Sequence, residues 1–79
     1  MKKSKYMERL QAIYDNEINI SIDWFWDSGM VIKIGDDGNG YEDENTFWNI
    51  YEGLDWLFKR IVELYPDSDF AKDIKQEIL

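Results

Sequence analysis

Apolar residues recur at helical spacing near the start of the chain and again after its midpoint. An amphipathic helix is predicted over residues 4–15, where one face carries Tyr6, Leu10, Ile13 and Tyr14. Asn16 is predicted to end this helix, because asparagine tolerates the left-handed conformation found at helix ends. A longer helix is predicted from a cap at Asn45 or Thr46 to about Tyr65. Its apolar stripe comprises Phe47, Ile50, Leu54, Leu57, Phe58, Ile61 and Tyr65.

A third helix is predicted after Pro66, which breaks the long one because proline lacks a backbone donor. Asp67 or Ser68 is predicted to cap the third helix. Its inner face is formed by Phe70, Ile74 and Ile78.

Strict alternation of apolar and polar residues separates the first two helices, and this is the period of a strand with one buried face. The apolar positions are Ile18, Ile20, Ile22, Trp24 and Trp26 in one run, and Met30, Ile32 and Ile34 in the next. Residues 27–29, Asp-Ser-Gly, predict a three-residue hairpin loop between the runs. That loop sets Trp26 opposite Met30, so Trp24 and Trp26 are predicted to lie in the core.

The same register has two further consequences. It places Trp24 opposite Ile32 on the inner face and pairs Asp23 with Lys33 on the outer face. Residues 35–40, Gly-Asp-Asp-Gly-Asn-Gly, predict a second turn. Tyr41 and Glu42 then form a short third strand. The predicted fold is α+β: one domain over residues 1–79, with a three-stranded antiparallel sheet, helices on one face, and the order α-β-β-β-α-α.

Composition limits the chemistry open to this chain. Of its 79 residues 44% are hydrophobic and 16% aromatic, which is typical of a folded domain. The sequence contains neither cysteine nor histidine, which excludes disulfides, thiolate or imidazole metal ligands and histidine-based catalysis. No long apolar run follows the basic N-terminus, so neither a signal peptide nor a membrane span is predicted. The expected location is the cytoplasm.

Negative charge is concentrated in the middle of the chain. Residues 11–58 contain eleven carboxylates and one basic residue, Lys33, giving a formal charge of −10 where the whole chain has −8. Such a segment repels nucleic acid and membrane phosphates and attracts basic protein surfaces or cations. Binding of nucleic acid or of a membrane is therefore not expected.

Acidic residues such as these form two common kinds of site, calcium-binding loops and catalytic carboxylate pairs. A calcium-binding EF-hand loop requires glycine at its sixth position, and starting the loop at Asp36 or at Asp37 puts Tyr41 or Glu42 there. A catalytic carboxylate pair requires one acid with a pKa raised by burial, whereas Asp23 is predicted on an exposed strand face. No nucleophile or phosphate-binding motif is present. No cofactor, metal or catalytic residue is predicted, and the chain is expected not to be an enzyme.

The remaining tryptophans, Trp48 and Trp56, lie off the centre of the long helix's apolar stripe. Either another helix or a dimer mate covers them, or they contact a partner together with Phe25 on the outer strand face.

Residues 30–41, Met-Val-Ile-Lys-Ile-Gly-Asp-Asp-Gly-Asn-Gly-Tyr, resemble a segment of the small acidic phage-encoded anti-CRISPR proteins that inhibit Cas9. The resemblance covers a strand, an Asp-Gly-Asn turn, the tyrosine that opens the next strand, and the order of elements. It implies a DNA mimic that occupies the basic groove in which Cas9 reads the protospacer-adjacent motif. Asp37 and Asn39 would then contact guanine-reading arginines, with Gly38 permitting the turn. Phosphate-like charge would come from Asp36, Glu42, Asp43 and Glu44.

Two hypotheses follow. In the first, the chain is a non-enzymatic inhibitor of a nucleic-acid-processing enzyme such as Cas9, acting in the bacterial host cytoplasm. Its binding face comprises Asp23, Asp36, Asp37, Gly38, Asn39, Glu42, Asp43, Glu44 and Trp56. In the second, it is a cytoplasmic structural or immunity-type interaction module that binds through Trp56, Trp48 and Phe25, as a homodimer or with another protein. A calcium-binding domain is the third alternative.

Overall fold

A computed structural model describes residues 2–78 of the chain. Three helices and three strands follow one another in the order α1 Lys3–Asp15, β1 Ile20–Phe25, β2 Gly29–Asp36, β3 Gly40–Phe47, α2 Ile50–Leu64 and α3 Asp69–Ile78. The strands form one antiparallel sheet in the order β1-β2-β3. The predicted fold class and element order are therefore confirmed. The side chain of Ile78, predicted to face inward, lies outside the described residues.

Helix α1 ends at Asp15, as predicted, but by a different mechanism from the one predicted. Asn16 has φ −88°, and the left-handed residue is Glu17, at φ 58°. Asn16 caps the helix with its side chain instead, because its Nδ2 donates a hydrogen bond of 2.7 Å to the carbonyl oxygen of Ala12. The left-handed turn comes one residue later than predicted, at Glu17, and brings the backbone N–H of Ile18 to the carbonyl oxygen of Ile13 at 3.2 Å.

The β1–β2 hairpin is offset by two residues from the predicted register. Trp24 pairs with Met30, and the residues between Phe25 and Gly29 form the loop. Because side chains alternate with period two, this offset keeps every residue on its predicted face and changes only its partner. Asp23 faces Val31 rather than Lys33, and Trp26, predicted opposite Met30, lies in the loop.

Glycine explains why the loop lies one residue earlier than predicted. Gly29 has φ 93°, and it begins β2 rather than ending the loop. A Cβ atom at Gly29 would lie 3.1 Å from both the carbonyl oxygen of Phe47 and a methyl carbon of Thr46. The chain therefore uses the glycine for close packing against β3 as well as for its positive φ.

The third strand is eight residues long, where the sequence predicted only Tyr41 and Glu42. Its helix-facing positions include Asp43 opposite Ile34 and Asn45 opposite Ile32. Because these two residues are polar, β3 lacks the alternation of apolar and polar residues that predicts a strand. The caps predicted at Asn45 and Thr46 are consequently wrong. Asn49 begins α2, and its side-chain oxygen accepts a hydrogen bond of 3.1 Å from the backbone N–H of Glu52.

The core lies between the sheet and the helices. Buried residues of β2 meet the apolar stripe of α2, while α1 and α3 close the sides; the core residues are Tyr6, Ile13, Met30, Ile32, Ile34, Leu54, Leu57, Phe58, Ile61, Phe70 and Ile74. Gly53 lets α2 approach the sheet, because a Cβ there would lie 2.4 Å from the terminal methyl of Met30. The opposite face of the sheet carries no helix within the described residues.

Candidate protein-binding surfaces

The two ends of the sheet have different chemistry. One end, here called the acidic end, comprises residues 36–39 of the β2–β3 turn together with Glu42, Asp43 and Glu44. The other end, here called the aromatic end, lies at the β1–β2 loop and the β3–α2 connection. It comprises Trp24, Phe25, Trp26, Trp48 and Ile50.

At the acidic end, Asp36 organises the turn. Its carboxylate accepts hydrogen bonds of 2.7 Å from the backbone N–H of Asn39 and of 2.7 Å from Nδ2 of Asn19. Nδ2 of Asn39 adds a third bond of 3.3 Å. The backbone N–H of Asn39, followed by the amide of Asn19, lowers the pKa of Asp36 below its usual value. Asp36 thus stabilises the loop, and these bonds occupy both of its oxygens.

Asp37 also has an internal partner. The hydroxyl of Tyr41 donates a 2.7 Å hydrogen bond to its carboxylate, and this bond is the main cause of a raised pKa at Tyr41. Lys33 lies over the same tyrosine ring, with its Nζ 5.1 Å from the ring centroid. Asp37 and Asn39 nevertheless remain exposed, so a partner has access to both.

Asp43 is different, because it points to the helix side of the sheet. Nε of Arg60, on α2, donates a 2.6 Å hydrogen bond to Oδ2 of Asp43. This bond lowers the pKa of Asp43, and it raises the pKa of Arg60. Asp43 therefore joins β3 to α2 and is a poor candidate for partner contact. Glu42 and Glu44 stay exposed on the strand, and Glu44 pairs with Lys33 in the ladder.

At the aromatic end the sequence prediction for the tryptophans is partly wrong. Trp24 and Trp26, predicted in the core, are 61% and 93% exposed, and Trp48 is 75% exposed. Trp24 sits on the helix-facing side of β1, where none of the described helices covers it, whereas Trp26 lies in the hairpin loop. Phe25 is exposed on the outer face as predicted.

Trp56, predicted as a contact residue, is partly buried. Its ring packs on Phe47 with centroids 5.5 Å apart and lies against the core. The predicted site residues are therefore only partly brought together. Trp56 is partly buried beside Phe47, whereas Asp23 lies on the outer sheet face, where its charge adds to the hydrogen bond with Asp37 in raising the pKa of Tyr41. The other predicted residues lie at the acidic end. Gly29 is the sequence signal for the position of Trp26, because a strand that begins at this glycine leaves Trp26 in the loop.

Two apolar depressions meet at the aromatic end. One, of about 160 Å³, is bounded by all five residues of the aromatic end together with Gly29, Met30 and Phe47. The second is a groove of about 360 Å³ between α1 and the hairpin, bounded on the helix side by Met7 and Leu10 and on the strand side by Ile22 and Trp24. Trp24, Met30 and Ile50 border both depressions, so the apolar surface is continuous.

A polar cleft of about 310 Å³ lies near the acidic end, between Asn16, Asp36 and Tyr65. Burial, and secondarily a hydrogen bond to Glu42, raise the pKa of Tyr65. Among the residues whose side chains the structure describes, no group of three or more carboxylates is arranged to hold a metal ion. The carboxylates at this end act as hydrogen-bond acceptors for the turn and for Arg60.

No protein-family model, curated protein or solved structure matches this chain. Within the described part of the chain, each helix is too short or too polar to cross a bilayer.

Proposed function

We propose that this chain is a non-enzymatic protein-binding module whose partner covers the aromatic end. The observation that carries this proposal is the exposure of three tryptophans, Trp24, Trp26 and Trp48, around one apolar depression. Large aromatic side chains in water are costly, and clusters of them are typical of binding sites in which a few residues supply most of the affinity. The proposal retains the tryptophan-based interaction module of the sequence analysis and moves its centre from Trp56 to these three residues.

The rigid support of these residues also favours a binding role. Trp24 is held by the β1–β2 ladder opposite Met30, and Trp48 precedes the Asn49 cap of α2. Side chains mounted on such elements lose less conformational freedom on binding than side chains on a flexible tail. At the acidic end, by contrast, the carboxylates of Asp36, Asp37 and Asp43 already accept hydrogen bonds from other groups of the same molecule.

The test is quantitative affinity capture from cells that encode this chain. Tagged wild type is compared with a Trp26→Ala, Trp48→Ala double variant and with Tyr14→Ala, a control at a 79% exposed aromatic residue of α1. The double variant is expected to lose a partner that the Tyr14 variant retains, at least tenfold in yield, because anchor residues typically contribute on the order of 2 kcal/mol each. Equal recovery by all three proteins contradicts the proposal.

A second candidate function rests on the acidic end. Asp37, Glu42 and Glu44 remain exposed there, on a strand edge and a turn far from the aromatic end along the hairpin. Exposed carboxylates in such an array mimic the phosphates that a basic groove binds, which is the mode implied by the resemblance to anti-CRISPR proteins. In this function the chain blocks a nucleic-acid-processing enzyme, with Cas9 as the first to be tested.

A DNA-cleavage assay with Cas9 tests this candidate. The Asp37→Ala, Asn39→Ala double variant is expected to lose inhibition, while Tyr41→Phe keeps it, because that control removes the internal hydrogen bond and leaves the carboxylate in place. Inhibition should also weaken steeply with salt. Absence of inhibition by the wild type, or equal inhibition by both variants, contradicts the Cas9 assignment.

A further inference from the structure

The outer edge of β1 is unpaired within the described residues. The pairing of β1 with β2 determines which residues of β1 direct their backbone N–H and C=O groups to that edge. The backbone N–H of Gly35 donates a 2.8 Å bond to the carbonyl oxygen of Asn19. In an antiparallel ladder bonded pairs alternate with non-bonded pairs, so Ser21, Asp23 and Phe25 also direct their backbone groups to β2. The backbone groups of the intervening residues, Ile20, Ile22 and Trp24, therefore point to the free edge.

The same three residues carry the apolar side chains of β1. Ile20 and Ile22 are half-buried against the core, Trp24 is exposed, and the groove toward Met7 and Leu10 runs alongside them. A strand added at this edge would continue the sheet. Its helix-facing side chains would enter that groove.

The other edge of the sheet is built differently. Along β3, the consecutive acidic residues Glu42, Asp43 and Glu44 oppose strand addition, and Asp43 is an inward-pointing charge of the kind that protects sheet edges. β1 has no proline and a single carboxylate, Asp23, on its outer face. The sheet therefore has consecutive carboxylates along its β3 edge and an apolar strand with free backbone groups along its β1 edge.

We propose that a second copy of this chain pairs at the β1 edge, antiparallel and two-fold symmetric about Ile22, to form a six-stranded sheet. The sequence of β1 is complementary to itself in this register. Ile22 faces Ile22 of the second copy as a hydrogen-bonded pair. This pairing is possible because the backbone N–H and C=O groups of Ile22 point to the free edge. Trp24 faces Ile20 of the second copy on the inner side.

Charge also selects this register. With the axis at Ile22, Asp23 faces Ser21 of the second copy, whereas an axis at Asp23 would set two carboxylates directly opposite one another. The acidic β3 edges then lie at the two ends of the six-stranded sheet, as far apart as the sheet allows. This inference goes beyond the proposed function, because it uses the backbone edge of β1 and shares only Trp24 with the aromatic end.

Light scattering coupled to size-exclusion chromatography tests the oligomeric state over a concentration series. The wild type is expected to reach twice the 9.5 kDa chain mass, and added salt should strengthen association, because both copies have a formal charge of −8. Trp24→Lys is expected to be monomeric. Phe25→Lys is a matched control, because Phe25 is 62% exposed but faces away from the groove and bonds to β2.

Crosslinking tests the register, and the absence of native cysteine removes any background. Ile22→Cys should be joined to its counterpart by a short bismaleimide, since hydrogen-bonded pairs have Cα atoms about 5.5 Å apart. Phe25→Cys should not be joined, because six residues of strand, about 20 Å, separate the two sites.

A wild type that stays monomeric up to about 1 mM overturns the dimer, as does a dimer that survives Trp24→Lys or crosslinks only at position 25. These outcomes are independent of the proposed function, because Trp26 and Trp48 lie outside the β1 pairing. Partner capture that depends on those two tryptophans in a monomeric chain would support the proposed function and refute the dimer. Circular dichroism of each variant verifies that it is folded.

Discussion

The side-chain oxygen of Asn16 accepts a 3.0 Å hydrogen bond from the backbone N–H of Phe70, so that one asparagine joins the end of α1 to the start of α3. Its amide nitrogen donates at the same time to the carbonyl oxygen of Ala12. Ser68 completes the cap of α3, with its hydroxyl oxygen accepting from the N–H of Ala71 at 3.1 Å. The bonds to Phe70 and Ala71 satisfy N–H groups that the first turn of α3 leaves unpaired, whereas the carbonyl oxygen of Ala12 also accepts from the backbone N–H of Asn16.

Replacement of Asn16 should therefore loosen two helices at once. Asn16→Ala is expected to lower the free energy of unfolding by about 1–2 kcal/mol, the usual cost of losing a helix cap. Urea denaturation followed by circular dichroism measures this. Gln11→Ala, which removes only an exposed bond to Asp15, serves as the control and should change stability by less than about 0.5 kcal/mol. Equal stability of the two variants would show that the link between α1 and α3 carries no energy.

The irregularity between β2 and β3 depends on Gly35. This residue has φ 115°, and a Cβ there would lie 2.5 Å from the carbonyl oxygen of Gly40. Gly35→Ala should therefore destabilise the protein by about 2 kcal/mol or more, because neither the dihedral angle nor the backbone contact can relax cheaply. Gly38→Ala is the matched control in the same turn, since its Cβ would meet only Asp36, at 3.3 Å. If the thermal unfolding midpoints of the Gly35→Ala and Gly38→Ala variants lay within about a degree of each other, the structural requirement for glycine at position 35 would be refuted.

The bond between Asp43 and Arg60 predicts a dependence of stability on pH. Arg60 holds the folded-state pKa of Asp43 below its unfolded value of 3.8, so the bond contributes fully above that pH. Its contribution is lost as the pH falls through the lower folded-state pKa. The stability difference between wild type and Asp43→Asn should thus be constant near neutral pH and shrink below about 4. An Asp67→Asn control, at an exposed carboxylate, separates this effect from general charge removal; a difference that did not change with pH would contradict the assignment.

Local sequence patterns were sufficient for the element types, because the alternation of Ile20, Ile22, Ile32 and Ile34 and the helical stripe from Leu54 to Ile61 both arise from burial. The length of β3 could not be predicted in the same way. Asp43 occupies an inward position only because Arg60, seventeen residues later, supplies its partner. That pairing depends on tertiary structure, and the polar residue alone indicates a loop.

The aromatic end shows a different limit. Alternation correctly assigns Trp24 to the helix-facing side of β1, yet facing the helices does not ensure that a helix reaches it. Whether a helix reaches Trp24 depends on how the helices lie over the sheet, and local periodicity carries no information about that tertiary arrangement. The prediction that Trp26 lies opposite Met30 fails for a simpler reason. Two hairpin registers that differ by two residues give identical faces, so periodicity could not distinguish them.

The four tryptophans should report their environments separately by fluorescence. Trp26 and Trp48 are mostly in water, whereas Trp56 packs against Phe47, so acrylamide should quench the former strongly and the latter weakly. Trp56→Phe is expected to remove the blue-shifted, protected part of the emission, and Trp26→Phe, the matched conservative control, to remove a red-shifted, quenchable part. If the protein dimerises through β1, raising its concentration should protect Trp24 while leaving Trp26 accessible. Emission from Trp56 that is quenched as readily as that of Trp26 would mean that α2 does not pack on Phe47 in solution.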